Sequence, residues 1–264
     1  MYSATQNDAM TLMATLADKS VNAIITDPPY GQTQLGFDRA HRGSDNLCLS
    51  PDFWNQVWRV TDTFICTAIH PFTAQLVVNQ QRNYRHAYVW VKNKATGFLD
   101  AKRKPLRIHE DVIVFATRQT TYNPQMREGD AYIRDNHGLG HCAIYIKINR
   151  TDSQSDGERY PTTMLEFDSD VDTLKNLDPA THPTQKPVAL MEYLVKTYTH
   201  EGDTVFDPFM GSGTTGVACQ RTARHFIGCD IDADYVALAN HRLAKTELAH
   251  QPIKEGFTQL SLFS

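Results

Sequence analysis

The sequence has little that would place it among secreted, metal-bound or membrane-spanning proteins. Its five cysteines (Cys48, Cys66, Cys142, Cys219, Cys229) are odd in number, scattered and never in a CxxC pair. That excludes a disulfide framework and a cysteine zinc site, and it predicts a reducing, cytoplasmic setting with no metal in the chemistry. No apolar run approaches the roughly 18 residues of a membrane span, and "MYSATQNDAM" has neither the basic nor the apolar part of a signal peptide. No GK[ST] phosphate loop occurs, so a P-loop nucleotide site is excluded as well. Net positive charge is also missing, with 26 Lys and Arg against 30 Asp and Glu for a formal charge of −4.

What is there is more specific. The 264 residues, 41% of them hydrophobic, are enough for one full α/β core with a smaller insertion. Basic residues concentrate locally despite the acidic total. The stretch "KNKATGFLDAKRKPLR" carries Lys92, Lys94, Lys102, Arg103, Lys104 and Arg107 against a single acid, Asp100. Such a stripe attracts phosphates, which makes these six residues the expected DNA-binding set.

Apolar periodicity and punctuation predict alternating elements. Helices are expected at 9–17, in "SPDFWNQVWRV" with Ser50 or Asp52 as N-cap, at 72–81, in "PVALMEYLVKTYTH" behind Pro187, at 213–223 and through "YVALANHRLAKTEL". Strands are expected at 21–26, 62–69 and 85–92, and in "EDVIVFATR", "TVFDPF" and "HFIGCDI". This alternation implies βαβ units and a mostly parallel sheet with helices on both faces. Periodicity weakens from 119 to 181, where turn residues multiply and an irregular insertion is expected. The division is therefore 1–118, the insertion 119–181, a second half 182–250 and a tail 251–264.

"FDPFMGSGTTG" lies between a strand and a helix, where backbone amides can meet a ligand. Gly211, Gly213 and Gly216 spell GxGxxG, and Asp230 ends the next strand near the spacing of a ribose-binding acid, so a nicotinamide dehydrogenase has to be weighed. Against it, about one helix and a tail follow Asp230, whereas the dinucleotide fold needs several more strands. Asp207, just ahead of the glycines, would also repel a pyrophosphate. S-adenosylmethionine fits better, with a ribose diol for Asp230, an ammonium and a sulfonium for Asp207, and no phosphate.

"IITDPPYG" then sets a carboxylate, two imino acids and an aromatic ring at the tip of a buried strand. The exocyclic nitrogen of adenine is a poor nucleophile because its lone pair is delocalised into the ring. Two fixed acceptors, the Asp27 carboxylate and the Pro28 carbonyl, would draw its N–H bonds out of plane and aim the lone pair at a methyl donor. Pro28 and Pro29 lock φ near −65° and restrict the residue before each, so those acceptors are placed in advance. Tyr30 would offer a face for an unstacked base, which implies base flipping.

Taken in order, "DPPY" at 27–30, "HPTQKP" at 182–187, "FDPFMGSGTT" at 206–215 and "GCDID" at 228–232, with "WVKN" and "HEDVIVFATR" between, resemble the amino-group DNA methyltransferases. The order is that of the β arrangement, in which the catalytic motif precedes the cofactor motif. The resemblance implies an α/β fold, with a doubly wound, mostly parallel, seven-stranded sheet in permuted motif order. It implies direct methyl transfer from S-adenosylmethionine to adenine N6 in DNA, through Asp27, Pro28, Pro29 and Tyr30.

On the same resemblance Asp207, Pro208, Phe209, Gly211, Gly213 and Thr214 would cradle the methionine part, and Asp230 would bind the ribose. Asp8 would read the cofactor's adenine amine, while His182, Thr184 and Lys186 would meet its carboxylate region. Target recognition would fall in 119–181, and the loop after Tyr30 would close over the flipped base. Cytosine-N4 methylation, whose enzymes more often carry Ser where Asp27 stands, is the nearest alternative. RNA methylation and a non-catalytic DNA-reading subunit stand further off. A homodimer and a cognate restriction endonuclease are partners that the resemblance leaves open.

Overall fold

The structure is a computed structural model that describes residues 1–32, 38, 46–134, 153–168 and 185–246. Its first half carries β1 (Tyr2–Gln6), α1 (Ala9–Thr15), β2 (Ala23–Thr26), α2 (Pro51–Val60), β3 (Thr63–Ala68), α3 (Phe72–Asn79), β4 (Tyr84–Thr96) and β5 (Arg107–Ala116). Four short strands follow, β6 (Arg127–Glu128), β7 (Tyr132–Arg134), β8 (Ser153–Ser155) and β9 (Glu158–Arg159), and then β10 (Met164–Glu166). The second half is α4 (Val188–Tyr198), β11 (Thr204–Asp207), α5 (Thr214–Arg221), β12 (His225–Asp230) and α6 (Ala233–Lys245).

Local chemistry sets these boundaries. Ser50 caps α2 by accepting from the Asp52 amide at 3.2 Å, and Pro51 opens the helix where no N–H is needed. Asp8 and Asp232 cap α1 and α6 in the same way. β2 ends at Thr26 because Pro28 and Pro29 cannot donate to a ladder.

The main sheet runs β1-β12-β11-β2-β3-β5-β4-β10. Every neighbouring pair is parallel except those made by β5, which is antiparallel to both β3 and β4. It has eight strands rather than the expected seven. The added strand is β10, three residues on the free edge of β4 with Leu165 buried. A segment that short shows no readable alternation.

Period-2 alternation sends side chains to two cores. Ile24, Phe64, Cys66, Ile113, Phe115 and Phe206 pack with residues of α1, α2 and α3 on one face. Ala23, Ile25, Ile65, Val112, Val114, Val205 and Phe226 pack with α4, α5 and α6 on the other. The sheet grows outward in opposite directions from the adjacent β11 and β2, so the crevice beyond their carboxyl ends is the switch point where such folds bind ligands.

Pro124–Thr162 forms a compact unit of its own. Within it β6 pairs with β9 and β7 with β8, both antiparallel, and the Gly129 amide donates to Gly157 O at 2.7 Å.

Candidate active site

Three strand tips, the start of α1 and the segment before α4 converge on a cavity of about 270 Å³. The β2 tip contributes Asp27, Pro28, Pro29 and Tyr30, and the β11 turn contributes Asp207 through Ser212 together with Thr214. Asp230 comes from the β12 tip, Asp8 from the start of α1, and Gln185 and Lys186 from the segment before α4. The proposed catalytic and cofactor motifs, about 180 residues apart in sequence, therefore share one wall because β2 and β11 are hydrogen-bonded neighbours.

At the β2 tip the Asp27 carboxylate is heavily engaged. Oδ1 accepts from the Tyr30 hydroxyl at 2.6 Å and from Thr67 Oγ1 at 2.5 Å, while Oδ2 accepts from Lys186 Nζ at 2.7 Å. Thr67 stands near the end of β3, one residue beyond Cys66, which pairs with Thr26. Tyr30 packs its ring 5.7 Å from that of Phe72. Burial, then the charges of Asp27 and Glu110, push the Tyr30 phenol well above its ordinary value, so it stays protonated as a donor. The Pro29 carbonyl accepts from Asn46 Nδ2 at 2.9 Å, and the buried Asp38 carboxylate takes the Gly31 and Gln32 amides. The remainder of the loop expected to close over the base lies outside the described residues.

At the β11 tip Asp207 is 2% exposed and holds three elements together. Its Oδ1 accepts from Thr26 Oγ1 at 2.6 Å and from the Phe209 amide at 3.1 Å, and its Oδ2 accepts from Thr215 Oγ1 at 2.7 Å. Burial raises its pKa to about 6 against those hydrogen bonds. The sequence placed this acid against the ammonium and sulfonium of a ligand; its oxygens are instead spent on bracing β2, β11 and α5. Gly213 has φ +77°, and a Cβ there would stand 2.7 Å from Ala239 Cβ, so only glycine lets α5 pack on α6 at this turn.

Asp230 accepts from the Gly211 amide at 3.0 Å through Oδ2 and from the Asp232 amide at 2.9 Å through Oδ1. Both donors are backbone groups, and burial raises this carboxyl above its ordinary value. Asp8 is exposed at the cavity and accepts from the Thr11 amide at 3.0 Å. Gln185 accepts from Ser212 Oγ at 2.9 Å through its Oε1, while its buried Nε2 has no hydrogen-bond partner among the described residues.

Two basic residues depart from expectation. Lys186 does not stand free for a cofactor carboxylate: it is 7% exposed and clamped between Asp27 and Glu110, 3.5 Å from Glu110 Oε2. Lys92 is not a surface cation. It shares strand parity with the buried Tyr88 and Trp90, is itself 9% exposed, and pairs with Glu110 at 2.9 Å. Lys94, Lys102, Arg103, Lys104 and Arg107 do sit exposed on the β4–β5 hairpin and are not among the cavity's lining residues, with Lys104 3.2 Å from Asp100. His182 and Thr184 lie outside the described residues. Sequence reasoning passed over Thr67, Glu110 and Gln185; for Thr67, a polar residue within an apolar strand run was the available sign.

The donor set suits a cationic, phosphate-free ligand. Among the described residues, the carboxylates of Asp8, Asp27 and Asp230 line the cavity, and its single lysine, Lys186, is neutralised by two acids. The sequence profile of the N6/N4 DNA methylase family matches residues 21–241. The chain belongs to that family.

It is a DNA methyltransferase with S-adenosyl-L-methionine as cofactor. Over 249 residues it is 28% identical to the type II methyltransferase M.HpaI of Haemophilus parainfluenzae, covering 90% of this chain and 72% of that one. A 62-residue segment is 52% identical to the type II methyltransferase M2.DpnII of Streptococcus pneumoniae, covering 24% and 23%. Among solved structures, M1.HpyAVI with bound cofactor superposes at TM-score 0.59 and 23% identity, covering 92% of this chain and 99% of that one. The cytosine-N4-specific PvuII methyltransferase superposes at TM-score 0.63 and 15% identity, covering 91% and 87%. At those identities the structural likeness establishes the α/β methyltransferase fold. Among the described residues no helix is long and apolar enough to cross a membrane.

Proposed function

We propose that this DNA methyltransferase acts on the N6 amine of an adenine flipped out of duplex DNA. The observation that carries this is the Asp27 carboxylate at the β2 tip, on the same cavity wall as the Asp207–Thr214 turn and Asp230. When bound, S-adenosyl-L-methionine supplies an electrophilic methyl group on a sulfonium.

The protein's own part is to make the nitrogen reactive. Asp27 takes one N–H and the Pro28 carbonyl the other, which pulls the amine towards a tetrahedral shape and frees its lone pair. Positive charge then grows on that nitrogen beside a fixed anion, an interaction that strengthens on the way to the transition state. Tyr30 commits its hydroxyl to Asp27 and is among the residues that line the cavity, and in this reading the extruded base stacks on its ring. An Asp rather than a Ser at this position favours adenine over cytosine-N4.

In the same assignment Asp230 and Asp8 hold the ribose and adenine of the cofactor, the turn from Pro208 through Thr214 lies along its methionine part, and His182 and Thr184 meet its carboxylate. The exposed cations of the β4–β5 hairpin contact backbone phosphates, which position the duplex without specifying sequence. The insertion 119–181, which includes the unit Pro124–Thr162, carries target recognition. The type II designation of the relatives supports a place in a restriction–modification pair.

Replacing Asp27 with Ala tests the assignment. Methyl incorporation should fall by about 10²- to 10³-fold, the usual loss of a preorganised electrostatic partner, with cofactor affinity retained. Unchanged incorporation would remove Asp27 from the chemistry.

A further inference from the structure

A carboxylate offers about four acceptor sites, two on each oxygen. Three of those on Asp27 are filled: Tyr30 and Thr67 hydroxyls on Oδ1, and the Lys186 ammonium on Oδ2. One site on Oδ2 remains for a nucleobase N–H. The direction in which it points is set by whatever fixes the other three donors, and Lys186 is the only charged one among them.

Lys186 is itself held from behind. Its Nζ lies between Asp27 Oδ2 at 2.7 Å and Glu110 Oε2 at 3.5 Å, and Glu110 Oε1 pairs in turn with Lys92 at 2.9 Å. The result is a row of alternating charge, Asp27, Lys186, Glu110 and Lys92, that runs from the β2 tip through the segment before α4 into β5 and β4. Leaving any member of such a buried row unpaired is costly, because each ion has given up its water. Burial alone would pull the Lys186 ammonium down, but Asp27 and Glu110 outweigh it and raise it. Burial likewise opposes the charged form of Glu110, and Lys186 and Lys92 bring its carboxyl below the ordinary value.

We propose that Lys186 is a positioning residue for methyl transfer, holding the Asp27 carboxylate as an oriented anion with one acceptor site open, while Glu110, backed by Lys92, sets the strength of that hold. This rests on the assignment of Asp27 to the substrate amine. It also moves Lys186 from the cofactor to the acceptor side of the site. The titratable groups facing Asp27 are Lys186, Glu110, Tyr30, Cys66 on β3 and Asp207 on β11. Tyr30 and Cys66 stay protonated, pushed up chiefly by burial. Asp207, raised to about 6 chiefly by burial and in small part by the charge of Asp27, is present in every variant below.

The test is the single-turnover rate of methyl transfer against pH, with cofactor affinity measured in parallel by calorimetry, in Lys186→Met, Lys186→Arg and Glu110→Gln. Lys186→Met removes the cation from Asp27 and leaves it facing Glu110. Its rate at pH 7 should fall about tenfold or more, and the acid limb should move to higher pH, the direction expected when a neighbouring opposite charge is lost. Cofactor affinity should hold within about twofold. Lys186→Arg keeps the charge and should recover most of the rate. Glu110→Gln leaves Lys186 to Asp27 alone, so its acid limb should move the opposite way, to lower pH.

Limbs that stay put, or move in the same direction in Lys186→Met and Glu110→Gln, would overturn the proposal. So would a tenfold loss of cofactor affinity in Lys186→Met with the saturated rate unchanged, since that is the behaviour of a cofactor ligand. Should Lys186→Met not fold, the direction of the shift in Glu110→Gln decides alone. A failure of the underlying Asp27 assignment would show separately, as activity surviving in Asp27→Ala.

Discussion

Asp207→Asn is the most informative perturbation of the framework beneath the site. The carboxylate is 2% exposed, and burial raises its pKa from 3.8 to about 6. The unfolded chain releases this proton near the lower value and the folded chain near the higher one. Folding therefore takes up a proton in the window between them, and the stability attached to this group is greatest below 3.8 and lost as pH rises through 6.

A difference of about two units corresponds to about 3 kcal/mol, of which about 2 kcal/mol should be lost between pH 4 and pH 7. Asparagine removes that term while keeping the geometry. Its carbonyl can accept from Thr26 and Phe209, and its amide can donate to the Thr215 hydroxyl, which now serve as donors to the acid. Urea unfolding of both proteins at a series of pH values measures the effect. The stability of the variant relative to the parent should rise by about 2 kcal/mol from pH 4 to pH 7. A difference that stays flat across that range would refute a buried, titrating brace at this position.

Gly228→Ala would place a Cβ 2.4 Å and 2.8 Å from ring carbons of Phe226 and 2.9 Å from Met210 Sδ. Overpacking of this kind costs about 1–3 kcal/mol, so the unfolding midpoint should drop, and because Met210 lines the cavity, cofactor affinity should weaken with it. Replacing Lys102, Arg103 and Lys104 together with Ala should weaken DNA binding at all sequences and flatten the dependence of log affinity on log salt by about 0.9 per lost phosphate contact. Lys92→Met should leave that salt slope unchanged, since its ammonium faces Glu110, and should instead show in the unfolding curve.

Much of the fold was legible because its strands are buried on both faces. "AIIT" and "TFICTA" read as strands without alternation, and every residue of both is buried. The Ser50 cap and the proline stop after Thr26 were equally readable, since each acts through a local backbone group. β1 was not, because Tyr2–Gln6 is a polar edge strand whose partner, β12, lies more than 200 residues away. β10 escaped notice for the same non-local reason. It is a strand only because β4 presents a free edge to it.

At the site, the sequence set Asp207 and Asp230 at two successive strand ends and Asp27 at the tip of another, and the β11–β2 pairing brings them to one cavity. The side-chain pairings did not. Lys92 counts as basic in any charge tally, and only its parity with Tyr88 and Trp90 marks it as inward. Lys186 lies in a motif associated with the cofactor, yet the nearest anions the fold brings to it are Asp27 and Glu110. Those partners come from β2's tip and from β5, and no spacing in the chain announces them.

The measurement that bears most directly on the Asp27 chemistry is the identity of the modified base. DNA incubated with the enzyme and methyl-labelled S-adenosyl-L-methionine, then digested to nucleosides and separated by chromatography with mass detection, should carry its label in N6-methyldeoxyadenosine. Label in N4-methyldeoxycytidine would contradict the assignment of the β2 tip to adenine.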